Sequence, residues 1–555
     1  MDKYFSSRGG ATRVLLLLLM ASTLLAGVPI GVTAQDTAAP FILEAQDEPN
    51  RASPSGEQTL RLSGQSEGPD SLDPAFSRDL ASAFLVRQIF RGLTRFGPDL
   101  EPVPELAQRI EVSTDGLDYT FDLRPNATFQ NGTPITADAV VFTLTRALEP
   151  ATAGGDVTLL GGPTFLSDID GAGDVISGQT EQLRGVEAVD EDTVHIRLSG
   201  PHSTFLMKLA SAPASIVDPE DVGTGDEWWR TPNGSGPFHV SEWEPDDHMI
   251  LTRFDDFVAG PATLSRIEIR LGANSLQPFN LYEAGQIDVT GVDVSAIDRV
   301  LAPESGLSDQ VTVTPLFAVD YIAFRSDTPP FDDPAIRRAV QLGFPRAKLA
   351  DVTYDGFVSA ATGLIPNGML GRDWPAQVPG YDLPAARKAI AESSYGSAEK
   401  VPPIRIYVSG YAGASALRDT VQRDLGLKVE IVNVDWSEFV LGLSRRDYPA
   451  YELYWGADYP DPESLLLVLF GSDRADNYVD YHNDAFDDLL RQSAAELDLA
   501  KRSDLYSQAQ QVLLDDQVVI PLYFDVAYTL AKPAVRGLEV TPLGILGLES
   551  VWLEH

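Results

Sequence analysis

The chain has one apolar segment long enough to meet a membrane, and it lies among its first residues. Lys3, Arg8 and Arg13 precede the run Val14 to Met20, which continues less strongly to Val32. Val32-Thr33-Ala34 then supplies the small residues that a signal peptidase reads. Basic, apolar, small is the order of a secretory signal, so cleavage is expected after Ala34. The competing reading is an uncleaved anchor, since a spanning helix needs roughly 20 apolar residues. No second long apolar segment occurs, and none of the 555 residues is cysteine. The chain beyond residue 34 must therefore fold in water without disulfides, thiolate zinc sites, cysteine nucleophiles or a lipid-modified cysteine. A chain this long exceeds what one hydrophobic core organises, so at least two domains are expected. The net charge of −40, spread along the chain, repels phosphate backbones and argues against nucleic-acid binding.

Strand and helix periods alternate irregularly. Residues 35–57 are rich in Ala, Pro, Ser, Asp and Glu and read as a flexible leader. Thr59-Leu60-Arg61-Leu62 begins the first strand, and Tyr119 to Leu123 alternates as another. Asn131-Gly132 marks a turn, after which Thr136 caps a helix striped by Val140, Leu144 and Leu148. Gly236 to Val240 and Met249 to Thr252 read as two strands around the turn 244–247, and Ile267, Ile269 and Leu271 mark a third. Asp333-Pro334 starts a helix, with proline where its missing donor costs nothing. Helical stripes recur at Phe486/Leu489/Leu490 and Leu505/Ala509/Val512, before the apolar strand Val518 to Tyr523. The class is mixed α and β in several lobes, without strict βαβ alternation.

Chemistry-bearing motifs are sparse. The six histidines form no metal-ligand pair, and neither a nucleophile elbow nor a phosphate loop is present. Carboxylate pairs such as Asp332/Asp333 abound in so acidic a chain and carry little information about acid–base catalysis. One stretch is more pointed. Tyr451, Leu453 and Trp455 alternate with Glu452 and Tyr454, the period of a strand with one buried face. Pro460 and Pro462 stop that strand, because neither has an N–H to continue a ladder. Asp458 stands at its end, either as a turn acid satisfying backbone donors or as part of a site.

Six ordered blocks decide between those readings: PVPELAQRIEVSTDGLDYTFDLRPNATFQNGTPITADAVVFTLTRAL (102–148), NGSGPFHVSEWEPDD (233–247), AGQIDV (284–289), PPFDDPAIRRAV (329–340), WGADYPDPESLL (455–466) and the segment 481–524. Together they resemble the family 5 extracellular solute-binding proteins of ABC importers, the oligopeptide, dipeptide and nickel binders. The resemblance implies a two-lobed periplasmic-binding-protein clamshell with an additional domain. Lobe I would comprise 58–90, 200–316 and 525–555, the extra domain 91–199, and lobe II 317–524. It also implies a binding protein rather than an enzyme. Ligand would be enclosed between lobes that close on it and then presented to a membrane permease. Free periplasmic residence as a monomer is expected, with no cofactor and no metal site.

By the same resemblance, Asp458 would pair with the α-ammonium of a small peptide, Tyr454 to Gly456 would offer backbone groups, and Trp455 would wall a side-chain pocket. Oligopeptide binders carry an arginine where this chain has Glu452. Dipeptide binders carry one near the position of Ser409-Gly410-Tyr411, where none stands, so no group for a peptide's C-terminus is identified. Oligosaccharides, opine-like compounds and chelated nickel are the alternative ligands within the family. A secreted carboxylate-dependent hydrolase is the alternative outside it.

Overall fold

The computed structural model describes residues 40–45, 56–64, 69–272, 277–354, 356–376, 378–410, 412–472 and 474–555. The expected signal, 1–34, and most of the leader lie outside them.

Three larger sheets organise the described chain. The first is five-stranded and antiparallel, in the order Phe41–Glu44, Ala107–Val112, Asp118–Leu123, Thr193–Arg197, Val186–Ala188. Helix Ala137–Arg146 packs on it through Val140 and Leu144, capped as expected by Thr136, whose hydroxyl accepts the Ala139 N–H. The second is four-stranded: Thr59–Ser63 pairs in parallel with Arg266–Arg270, next to which lie His248–Arg253 and Phe238–Glu244. Helix Leu80–Ile89 buries Leu85, Val86 and Ile89 in the core of that sheet. The third and largest runs Val289–Gly291, Val519–Ala531, Val311–Phe324, Ala450–Gly456, Ile404–Val408, Val429–Asn433, with Ser359–Ala360 beside Val519–Ala531.

Two long-range pairings cross this layout. The strands Val311–Phe324 and Val519–Ala531 are 14 and 13 residues long and form one antiparallel ribbon. Its register shifts between Pro315 and Val319, so three residues of one strand face Asp525 alone. The lobe boundaries expected at 316/317 and 524/525 fall inside this interruption. At the other end of the second sheet, the Gln58 side chain donates to the Leu553 carbonyl at 3.1 Å and accepts the Leu553 N–H at 2.8 Å. Residues near both ends of the described chain thus close the same core.

Two expectations need correction. Within the segment 35–57, Phe41–Glu44 is a strand paired with Ala107–Val112, because that sheet edge offers a complete ladder to a short apolar segment. The strand Ala450–Gly456 has no solvent face along its first half: Ala450 to Leu453 are all buried. It is central in the largest sheet, with a separate apolar core on each side. Glu452 is fully buried, its carboxylate accepting the Gly413 and Ala414 N–H groups at 2.8 and 2.6 Å. A carboxylate satisfies orphan donors at the start of helix Gly413–Leu425, which explains an acid inside a core strand.

Candidate functional site

The strand Ala450–Gly456 ends at a cavity of about 480 Å³. Tyr454, Trp455, Gly456 and Asp458, the four residues singled out from the sequence, all line it. The opposite wall comes from the second sheet's side of the molecule: the start of helix Leu80–Ile89, Arg87 near its end, and Ser211 to Pro213. Thr164 and Phe165 contribute from the first sheet's core, and Trp436, Val440, Leu543 and Ile545 complete the apolar lining. The cavity therefore sits where elements of three cores meet, a usual place for a ligand site.

Local structure fixes the Asp458 backbone. Ala457 N–H donates to Phe317 O at 2.8 Å, continuing the ladder in which Gly456 pairs with Ala318. Asp458 N–H donates to Ser464 Oγ at 2.8 Å, and Ser464 Oγ lies 3.4 Å from the Asp458 carboxylate. The turn acid is instead Asp461, which accepts the Glu463 N–H at 3.0 Å at the head of helix Glu463–Phe470. The Asp458 carboxylate is left half-buried and directed at the cavity rather than spent on a backbone cap.

The loop beyond it is held by a buried charge cluster. Lys208 Nζ lies 2.7 Å from Asp168 and 2.5 Å from Glu463, while Thr204 and Tyr459 hydroxyls donate to Glu463 at 3.0 and 3.2 Å. Burial opposes charge on all three ionic groups. Their mutual attraction still holds the ammonium above and both carboxyls below their usual values. Tyr459 packs edge-on against Phe165 in the first core, so the loop after Asp458 is docked on another layer of the molecule.

Charge within the cavity is unevenly used. Burial, and then the negative charge of Asp476, raise the Asp458 carboxyl to about 7 against the lowering effects of Ser464 and Arg87. Asp476 accepts the Tyr478 hydroxyl at 2.6 Å, and Asp79 caps helix Leu80–Ile89 by accepting the Ala81 and Ser82 N–H groups. Arg78 donates to the Thr158 carbonyl at 2.7 Å. Burial lowers Arg87 to about 10, partly restored by Asp458, so it stays charged at neutral pH.

Trp455 is half-buried, and its indole N–H has no acceptor among the described residues. No described strand pairs with Trp455 or Gly456 on the edge away from Val311–Phe324, since Ile404–Val408 meets this strand only at Tyr451. Among the described residues no group of three His, Asp or Glu side chains is placed to hold a metal. Sequence reasoning did not reach Arg87, Asp476 or Trp436, which is 55% exposed at the cavity. Arg87 sits among apolar residues of an ordinary amphipathic helix, and nothing local distinguishes it.

A hydrophobic cleft between sheet layers, with one strand end carrying an aimed carboxylate, is the arrangement of a protein that encloses a small solute. The chain belongs to the bacterial extracellular solute-binding proteins of family 5, whose family model matches residues 101–477. It is 26% identical over 487 residues to the oligopeptide-binding protein OppA of Bacillus subtilis, covering 84% of this chain and 88% of that one. A probable di/tripeptide-binding protein of Pseudomonas aeruginosa is 28% identical over 470 residues, covering 80% and 85%. In fold it is similar to the Escherichia coli murein tripeptide-binding protein MppA, with a TM-score of 0.79 and 23% identity over 91% of this chain and all of that one. The mixed α/β, two-lobed architecture expected from the sequence is that of these binding proteins.

Proposed function

We propose that this protein is the extracytoplasmic substrate-binding component of an ABC importer and captures small peptides through their free α-ammonium group. The reading rests above all on Asp458. A buried ammonium loses its hydration and needs a counter-charge with a hydrogen bond. Asp458 is the cavity carboxylate with the weakest internal satisfaction, fixed at the end of a rigid strand. The unflanked edge at Trp455 and Gly456 suits main-chain pairing with an extended ligand, which gives affinity with little side-chain selectivity. The peptide-binding names of the relatives agree with this reading.

Residues 1–34 are then a removable secretory signal, and the mature protein works in the periplasm as a monomer, without a lipid anchor, delivering ligand to a membrane permease. The interrupted ribbon at 315–319 is the hinge about which two lobes, bounded as the sequence blocks suggest, close on the ligand. Binding, not catalysis, is its task.

Calorimetry with Asp458→Asn tests the assignment. Removing one partner of a buried charge pair typically costs about 2–5 kcal/mol, so affinity for a free peptide should fall by roughly tens- to thousands-fold. N-acetylated ligand should bind the wild type weakly and the variant no differently from free peptide, the two forms and two proteins making a thermodynamic cycle. A coupling near zero in a folded variant would remove Asp458 from the site.

A further inference from the structure

Two carboxylates in the cavity, Asp458 and Asp476, have no cation paired with either. Both are half-buried in the lining, and neither makes an ion pair within 4.0 Å among the described residues. Their mutual repulsion is the second cause, after burial, of the raised Asp458 carboxyl. The other charges of the lining are spent or stand elsewhere: Asp79 caps its own helix, Arg78 donates to the Thr158 carbonyl, and Arg87 comes from the opposite wall. Asp476 uses one oxygen to accept the Tyr478 hydroxyl at 2.6 Å, and its second oxygen has no hydrogen-bond partner among the described residues. Two like charges withdrawn from water near one another are costly, and a ligand that brings two positive groups relieves both.

Asp476 does not sit on a loose loop. Its neighbour Asn477 is fully buried, and the Asn477 side-chain amide donates to the Gly471 and Tyr481 carbonyls at 3.1 and 2.8 Å and accepts the Tyr481 N–H at 3.0 Å. Arg446 Nε donates to the Asn477 carbonyl at 3.2 Å. On the other side, the Tyr478 ring meets Tyr451 edge-on with centroids 6.4 Å apart, and Tyr451 belongs to the strand that leads to Asp458. The two carboxylates are thus carried by one core, through a strand end and a loop packed on that strand. The same core supplies Leu443, Leu543 and Ile545 to the cavity wall. An apolar surface beside a fixed carboxylate is what the stem and head of a long basic side chain require.

We propose that Asp476 is a specificity-determining residue of the site and selects peptides whose first residue carries a second positive charge, as lysine or arginine does. This rests on the reading that Asp458 holds the α-ammonium. The side chain nearest that ammonium in an extended peptide is the first residue's own, so it is the one placed to reach the neighbouring carboxylate. With both charges bound, each acid faces a cation rather than the other acid. A neutral first side chain leaves Asp476 unpaired beside Asp458, and an acidic one adds a third negative charge. A chain of net charge −40 attracts cations over its whole surface, but a preference confined to the first residue comes from this pair alone.

The test uses purified mature protein and three tripeptide pools, randomised with uncharged residues elsewhere: lysine first, norleucine first, and norleucine first with lysine second. Norleucine has the lysine stem without its amine. Each pool is offered free and N-acetylated, and bound peptide is quantified by native mass spectrometry. Wild type should capture lysine-first peptides over norleucine-first ones by about tenfold or more. Lysine in second place should recover little of that. Asp476→Asn keeps an oxygen for the Tyr478 hydroxyl and should lose the preference while still favouring free over N-acetylated peptides; Asp476→Glu should keep part of it. Equal capture of lysine-first and norleucine-first pools by wild type, with the acetyl discrimination intact, would overturn the role of Asp476 and leave the Asp458 reading standing. So would a preference that survives in Asp476→Asn, or one that lysine in second place reproduces, because either traces it to the general acidity of the protein. No capture from any pool, or no acetyl discrimination by wild type, would overturn both. Melting curves separate lost recognition from lost folding: weaker capture of every pool by Asp476→Asn, with a lower melting temperature, would assign Asp476 a structural role instead.

Discussion

With its carboxyl raised to about 7, Asp458 is about half protonated at neutral pH, and an ammonium ligand requires the ionised form. Binding should therefore release a proton, and affinity should rise with pH up to about 7. Above about 8 the ligand's own α-ammonium deprotonates, so affinity falls again. The groups facing Asp458 that set this limb are Asp476, Ser464 and Arg87. Calorimetry across that range, in buffers of different ionisation enthalpy, should return a bell-shaped profile and a proton count that changes sign. Asp458→Asn should flatten the acid limb; an unchanged acid limb would assign the titration to another group. The same shift has a consequence for the fold alone. A carboxyl raised above its unfolded value favours the folded state at low pH, and that contribution fades as pH rises from about 4 through 7.

The strand Ala450–Gly456 carries a second raised carboxyl, at a residue that does not line the cavity. Asp320 and Glu452 are fully buried beside one another in the largest sheet. Burial first, and then the charge of Glu452, hold Asp320 well above its usual value; burial likewise lifts Glu452 to about 6 despite two backbone donors. Both folded values exceed the unfolded ones, so the pair stabilises the fold fully below about pH 4 and loses that contribution as pH rises through about 6 and beyond. Asp320→Asn keeps a donor and removes a charge. It should melt higher than wild type at about pH 8 and close to it at about pH 5; identical pH slopes for the two proteins would refute the raised titration of Asp320. This element also marks what sequence can disclose. Its period, its proline stop and Asp458 were all legible, because they depend on neighbours in the chain. That Glu452 is buried was not, since an acid at an alternate position reads as solvent-facing until a second core is known to cover it. Arg87 was hidden for a related reason: its meaning lies in a cavity assembled with residues far away in sequence.

At the scale of the whole molecule, the Lys208 cluster joins helix Phe205–Lys208, the turn at Asp168 and the helix just beyond Asp458. Lys208→Met would leave two buried carboxylates without their cation. The expected loss is about 3–5 kcal/mol of unfolding free energy. It should be nearly insensitive to salt, because buried charges are poorly screened. Denaturant titrations at low and high ionic strength give both numbers, and a loss near that of an exposed ion pair would show the cluster to be open to water. The three-sheet layout itself arises from ordinary strand and helix periods, but their grouping does not, because each sheet recruits strands from distant parts of the chain. The pairing of Gln58 with Leu553 carries this furthest. Those residues are 495 positions apart, and bringing them together costs roughly 5–6 kcal/mol of chain entropy before any contact repays it. A ribosome makes Leu60 long before Leu553, so the core that both occupy stays unfinished while most of the intervening chain is being added. The order of synthesis thus keeps this core from sealing early, leaving the intervening chain threadable until Leu553 has been made.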